Sequence, residues 1–102
     1  MGALHREHRF FAVEVSLDVA SVDANTSAEQ TFTLTGLKTT DLVFVRKPSL
    51  SAGLVIGNAR VSAADTLAIT FGNLTASPIN PSAETYKVFV FRPEIMSGNA
   101  ND

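Results

Sequence analysis

The apolar residues of this chain fall at every second position far more often than at every third or fourth. Phe11, Val13, Val15, Leu17 and Val19 alternate with Ala12, Glu14, Ser16, Asp18 and Ala20, which is the two-residue period of a strand with one face buried and one face wet. Gln30 to Thr35 repeats the pattern, setting Phe32 and Leu34 against Thr31, Thr33 and Thr35, and β-branched threonines suit a solvent-facing pleat. Leu67, Ile69 and Phe71 alternate with Ala68 and Thr70, predicting another half-buried strand, preceded by a short one over Ala59 to Ser62 and a turn at Ala63 to Asp65. Two segments differ. Leu42 to Arg46 and Tyr86 to Arg92 are apolar at both parities, with Val88 and Val90 pointing one way and Phe89 and Phe91 the other. Such strands ask for cover on both faces, and for Leu42–Arg46 the pattern predicts a central place in a sheet.

The breaks between these runs carry turn chemistry. Asp23, Ala24, Asn25 and Thr26 make a turn, Gly36 ends a strand and Pro48 stops another. Gly53 and Gly57 punctuate Leu50–Gly57, predicting a bend or bulge between two short strands, with a helical turn at Ser49 to Ala52 as the competing reading. Pro78 and Pro81 keep Gly72–Ala83 out of any central strand, because each proline lacks a ladder donor. Roughly six to eight short strands without helical periodicity predict an all-β chain, a single antiparallel β-sandwich that is jelly-roll-like or a small barrel. Leu67, Ile69, Val88 and Val90 are its expected core. Residues 1–10 read as an extended N-terminal arm, 11–93 as the sandwich domain and 94–102 as a flexible C-terminal tail.

Composition narrows the classes of function. A chain of 102 residues makes one domain and buries about 60 to 70% of the surface its unfolded form exposes. A net charge of -2 with 18% charged residues supplies no basic field for nucleic acid, whose binding rests on Lys and Arg neutralising phosphates. The absence of cysteine removes disulfides, thiolate nucleophiles and Cys-ligated zinc. The N-terminal residues lack the apolar run and cleavage site of a signal peptide, and no apolar stretch approaches the ~20 residues that cross a bilayer. The expectation is a protein made in the cytoplasm with no membrane partner.

Taken in order, the stretches DANTSAEQTFTLTGL, DLVFVRKPSL, AGLVIGNARVSAADTLAITFGNLT and SPINPSAETYKVFVFRP resemble a module of small structural proteins from tailed bacteriophages. The likeness covers most of Leu17 to Pro93 and includes Phe71-x-Asn73-x-Thr75, Ile79-x-Pro81 and Tyr86-x-Val88-x-Val90. Similar modules occur in head decoration proteins and in head or tail fibres. The resemblance implies a virion structural protein, a capsid decoration or cement protein on the outer surface of the major capsid lattice that stabilises the head. It implies a homo-oligomer, a trimer by preference, and neither chemistry nor a cofactor. The alternative is a fibre-type recognition module for host surface glycan, but Tyr86 is the only tyrosine and tryptophan is absent, which leaves little for stacking on sugars.

Partner-binding residues follow from the same reading. Met1–Arg9 has too little apolar surface to fold alone, so Arg6 and Arg9 are expected to meet acidic capsid surface, with Phe10 and Phe11 ordered against a partner. Phe89 and Phe91 require a covering surface from the other sheet or from a neighbouring subunit. His5 and His8 flank Glu7, yet two imidazoles without a third ligand make no metal site. The carboxylates fall on polar faces and in turns, and Ser49, Ser51 and Ser62 lack the G-x-S-x-G elbow, so no catalytic residue is predicted. Asn25-Thr26-Ser27 and Asn73-Leu74-Thr75 match the glycosylation sequon by chance. Arg46, Arg60 and Arg92 stand at or near strand ends, as interface ion-pair partners or as ordinary exposed arginines.

Overall fold

The structure, a computed structural model, describes residues 9–93. Within them the chain is all-β, with two three-stranded antiparallel sheets and no helix. The strands are β1 (Arg9–Leu17), β2 (Ser27–Thr33), β3 (Leu42–Arg46), β4 (Leu54–Ala63), β5 (Thr66–Asn73) and β6 (Glu84–Arg92). One sheet runs β1-β6-β3 and the other β2-β5-β4.

Register places the apolar parities against each other. In the first sheet, Val90 lies between Phe11 and Val43, and Val88 between Val13 and Val45. In the second, Phe71 lies between Ala28 and Ile56, and Leu67 between Phe32 and Val61. These rows meet in the core, where Leu67, Ile69, Phe71, Tyr86, Val88 and Val90 are each 0% exposed. The four core residues expected from the sequence are all there.

Strand β4 shows how a change of phase is absorbed. Leu54 and Ile56 face the core, but so do Ala59 and Val61, and a regular strand cannot point 56 and 59 the same way. The ladder with β5 shifts between Ile56 and Asn58, so a bulge at Gly57 turns the second half of the strand back inward. The bend or bulge expected in Leu50–Gly57 is found at Gly57, inside the single strand Leu54–Ala63 where two short strands were expected, and no helical turn forms at Ser49 to Ala52.

Other boundaries move as well. The second strand begins at Ser27 and ends at Thr33, earlier than Gln30 to Thr35. Strand β1 begins at Arg9 and pairs Arg9 with Arg92 and Phe10 with Phe91, so these two residues belong to the sheet and not to an arm. Residues 1–8 and 94–102, with His5 and His8, most of the expected arm and the whole of the expected tail, lie outside the described residues. The larger correction concerns β3, which is an edge strand and not a central one. Strand β6 takes the centre, with Phe11 and Val13 of β1 on one side and Val43 and Val45 of β3 on the other in register with Val90 and Val88.

Polar contacts hold the crossing segments. The Gln30 side chain donates to the Ala20 carbonyl at 2.9 Å and accepts from the Ala20 amide at 2.8 Å, standing in for a strand partner beside buried Val19 and Val22. Asn73 is a buried hub: its Nδ2 donates to Val22 O (3.0 Å) and Ser77 O (2.8 Å), and its Oδ1 accepts from the Thr75 amide and hydroxyl, both at 2.8 Å. All of its hydrogen-bonding capacity is used. The amide nitrogen of this sequon is thus occupied inside the fold, which supports the reading of that match as chance. Gly53, at φ 86°, accepts the Leu74 amide on its carbonyl at 2.9 Å; a Cβ there would collide with the Thr75 methyl.

At the open end of the first sheet, Arg92 grips Asp41 with Nε and Nη2, both at 2.7 Å, and donates through Nη2 to Gly36 O at 2.8 Å. The Asp41 side chain is wholly buried. Hydrogen bonds from Arg92, opposed by burial and assisted by the Lys38 amide, hold its carboxyl below the usual 3.8. A depressed folded-state value stabilises the fold above the unfolded value, and that stabilisation is lost as pH falls through the folded one. Asp41→Asn should therefore be less stable than the wild type near neutrality, and the gap in urea midpoint should shrink below pH 3.8. A gap independent of pH would remove the carboxylate from the account.

Tyr86 presents the opposite case. Its hydroxyl is buried and has no hydrogen-bond partner among the described residues, and burial, followed by the Glu84 charge, pushes its pKa up from 10.0 to about 12. Stability from keeping the phenol neutral is present below pH 10.0 and lost as pH rises toward 12. Because an unsatisfied buried hydroxyl is costly, Tyr86→Phe should be as stable as the wild type or more stable by up to about 1 kcal/mol. It should also resist alkaline unfolding better, as read from melting temperatures across that pH range.

Candidate functional site

The outer face of β1-β6-β3 is what the second sheet leaves uncovered. Alternation along the strands sends to it Phe10, Ala12 and Glu14 from β1, Phe91, Phe89 and Lys87 from β6, and Leu42, Phe44 and Arg46 from β3. Register ranks them in three rows: Phe10 beside Phe91 and Leu42, Ala12 beside Phe89 and Phe44, Glu14 beside Lys87 and Arg46. Two rows are apolar and one is charged.

Four of the eight large apolar side chains exposed among the described residues share this face. Phe10 is 70% exposed, Phe44 60%, Leu42 52% and Phe89 40%, and the Phe10 and Phe91 rings lie 5.7 Å apart at 51°. With about 200 Å² for a whole large apolar side chain, these exposures amount to about 400 Å² of contiguous apolar surface. A patch of about that size is the largest a typical monomer exposes and is often functional, which makes this the candidate interaction face.

Of the residues singled out in the sequence, Phe10, Phe89 and Phe91 come together here. Phe11 does not: it points to the inner side, at the rim, where the Arg92 guanidinium stands 5.4 Å from its ring centroid. Arg9 is exposed on the same side as Phe11, and Arg6 lies outside the described residues. Leu42 and Phe44 were missed. Their signal was the double-parity apolar pattern of 42–46, which reads equally as a strand covered twice and as an edge strand with an apolar outer face.

The remaining polar groups fasten the fold. Glu29 and Arg60 pair at 2.8 and 2.9 Å on the outside of the second sheet, over the small, fully buried Ala68 that lies beside Arg60 in register. Ser49 Oγ donates to the Glu84 carboxylate at 2.7 to 2.8 Å, and Lys47 Nζ reaches the same carboxylate at 3.2 Å; Ser49 first, then Lys47, holds the Glu84 carboxyl below 4.5. Among the described residues no cluster of three His, Asp or Glu side chains could hold a metal. A groove of about 470 Å³ separates the edges of β3 and β4, lined by Phe44, Val45, Ile56 and Arg60 among others, and brings no acid–base pair together. No family model, curated protein or solved structure matches the chain.

Proposed function

We propose that this protein is a non-catalytic assembly subunit, a capsid decoration or cement protein of a tailed-phage virion, made in the host cytoplasm and seated on the outside of the major capsid lattice. The observation that carries this reading is the uncovered aromatic face of β1-β6-β3, read as a protein–protein contact surface on a domain where, among the described residues, Asp41, Asn73 and Glu84 are engaged in holding loops. A glycan site would set hydrogen-bonding groups beside its rings, whereas the two rows holding Phe10, Phe44 and Phe89 contain none. The resemblance in sequence supplies the capsid as the larger partner. Contact with it is assigned to the end of the sandwich where β1 begins, with Arg9 in the described part and Arg6 before it. Many weak contacts of this kind, repeated over a lattice, suffice through multivalency.

The finer fold is read as jelly-roll-like. Strand β1 pairs with β6 and β2 with β5, while β3 faces β4 across the groove, so the chain is a doubled ribbon wrapped into two sheets. The test is direct: purified virions should carry this chain on the capsid surface at a copy number matching lattice axes. Deleting residues 2–8 should weaken attachment to particles lacking the protein and leave the melting temperature of the isolated domain unchanged. Full attachment without those residues would move the capsid contact onto the sandwich, and absence from virions would end the reading.

A further inference from the structure

The outer face of β1-β6-β3 fits itself in shape and charge. Sheets stacked face to face keep their strands within about 30° of each other at about 10 Å separation. A two-fold axis lying in the plane of contact and running along β6 carries each row onto the same row of the partner, and lays β1 of one protomer over β3 of the other. Ala12, the smallest side chain of the face, then meets Phe44, one of the largest. Glu14 meets Arg46, Phe10 meets Leu42, and Phe89 meets its own copy on the axis. We propose that a second copy of this chain covers the face in this arrangement, as an isologous dimer.

Charge and area both select this occupant. The ion pairs of the described residues are Lys47–Glu84, Arg60–Glu29 and Arg92–Asp41, so Glu14 and Arg46 enter none of them and are available to each other across the axis, twice by symmetry. The two Lys87 groups approach near the axis, each with Glu14 of its own sheet beside it in register. An axis at right angles to the strands through the middle row would instead press Glu14 onto Phe10 and Lys87 onto Phe91, burying charge against rings. The apolar rows supply about 400 Å² per protomer, and the charged row with flanking Ser16 and Thr85 extends the contact toward the ~800 Å² per partner of a stable interface.

The inference deepens the reading of the chain as an assembly subunit and rests on it, but its test needs only the purified full-length chain. Sedimentation velocity at micromolar concentration should give a dimer. E14R and R46E, each placing like charges opposite one another twice, should each weaken it at least about tenfold. The double variant E14R/R46E should restore it, and F44D should give a folded monomer with an unchanged circular-dichroism spectrum. A wild type that stays monomeric, a trimer, a dimer indifferent to both single changes, or a double variant no better than the singles would each overturn the proposal. A monomer that still decorates particles would overturn this inference alone, and a dimer that binds no capsid would overturn the decoration reading alone.

Discussion

Replacing Leu67 by alanine is expected to lower the unfolding free energy by about 2 to 5 kcal/mol. Leu67 is 0% exposed, sits in the middle strand of its sheet between Phe32 and Val61, and belongs to the same core cluster as Tyr86 and Val88. Truncation removes the transfer free energy of the lost methyl groups and leaves a void that neighbours held by two ladders cannot close. The upper part of the range is the expectation, because a central strand is fixed along both edges. Urea unfolding with an unchanged slope and a lower midpoint would carry the result. A loss within about 0.5 kcal/mol, the range of surface positions, would place Leu67 outside the core.

Replacing Asn73 by leucine, a side chain of similar size, should cost about 1 to 3 kcal/mol, the cost of a buried polar group deprived of its partner, because the Thr75 amide loses its acceptor and the Val22 and Ser77 carbonyls each lose one of two donors. Asn73 is 1% exposed and its amide fixes Val22, Thr75 and Ser77 together, which are the points where the crossing segment from β1 meets the loop leaving β5. Without it the Ser77 carbonyl keeps only the Thr75 hydroxyl, at 2.8 Å. Amide exchange should therefore quicken first at Val22, Thr75 and Ile79, ahead of the sheet cores. Uniform quickening across both sheets would mean that the loss was one of packing alone.

Strand identity was legible in the sequence wherever a face alternated cleanly. Leu67, Ile69 and Phe71 point to the core because nothing else can be done with a two-residue apolar period beside threonines. Sheet position was not legible for Leu42–Arg46, since apolar residues at both parities state only that neither face prefers water. Which face finds cover depends on partners elsewhere in the chain, and Val43 and Val45 found it beside Val90 and Val88 while Leu42 and Phe44 did not. The bulge at Gly57 was visible as a glycine but not as a change of phase, because that requires the register with β5. Of the candidate site, Phe10, Phe89 and Phe91 could be named from the sequence, while Leu42 and Phe44 emerged only when β3 proved to be an edge. Phe11 was grouped with Phe10 as partner-facing, but adjacent residues in a strand cannot share a face, and Phe11 keeps the parity of Val13 and Val15.

Arg9 lies opposite Arg92 in the β1–β6 ladder, whereas β4 and β5 are joined through Ala64 and Asp65 alone. On the ribosome these two ladders have unequal prospects. The β4–β5 hairpin closes across a two-residue loop and β2 can then add to it, so the second sheet can start from a local contact. Strand β1, made before the other five, has no hydrogen-bonding partner until β6 follows, and it must wait with Phe10 and Phe11 unpaired while the four strands between them are synthesised. Closure between such distant segments is the slow kind, so the first sheet sets the folding rate, and the face it will display is also the stretch most exposed to misassociation between nascent chains.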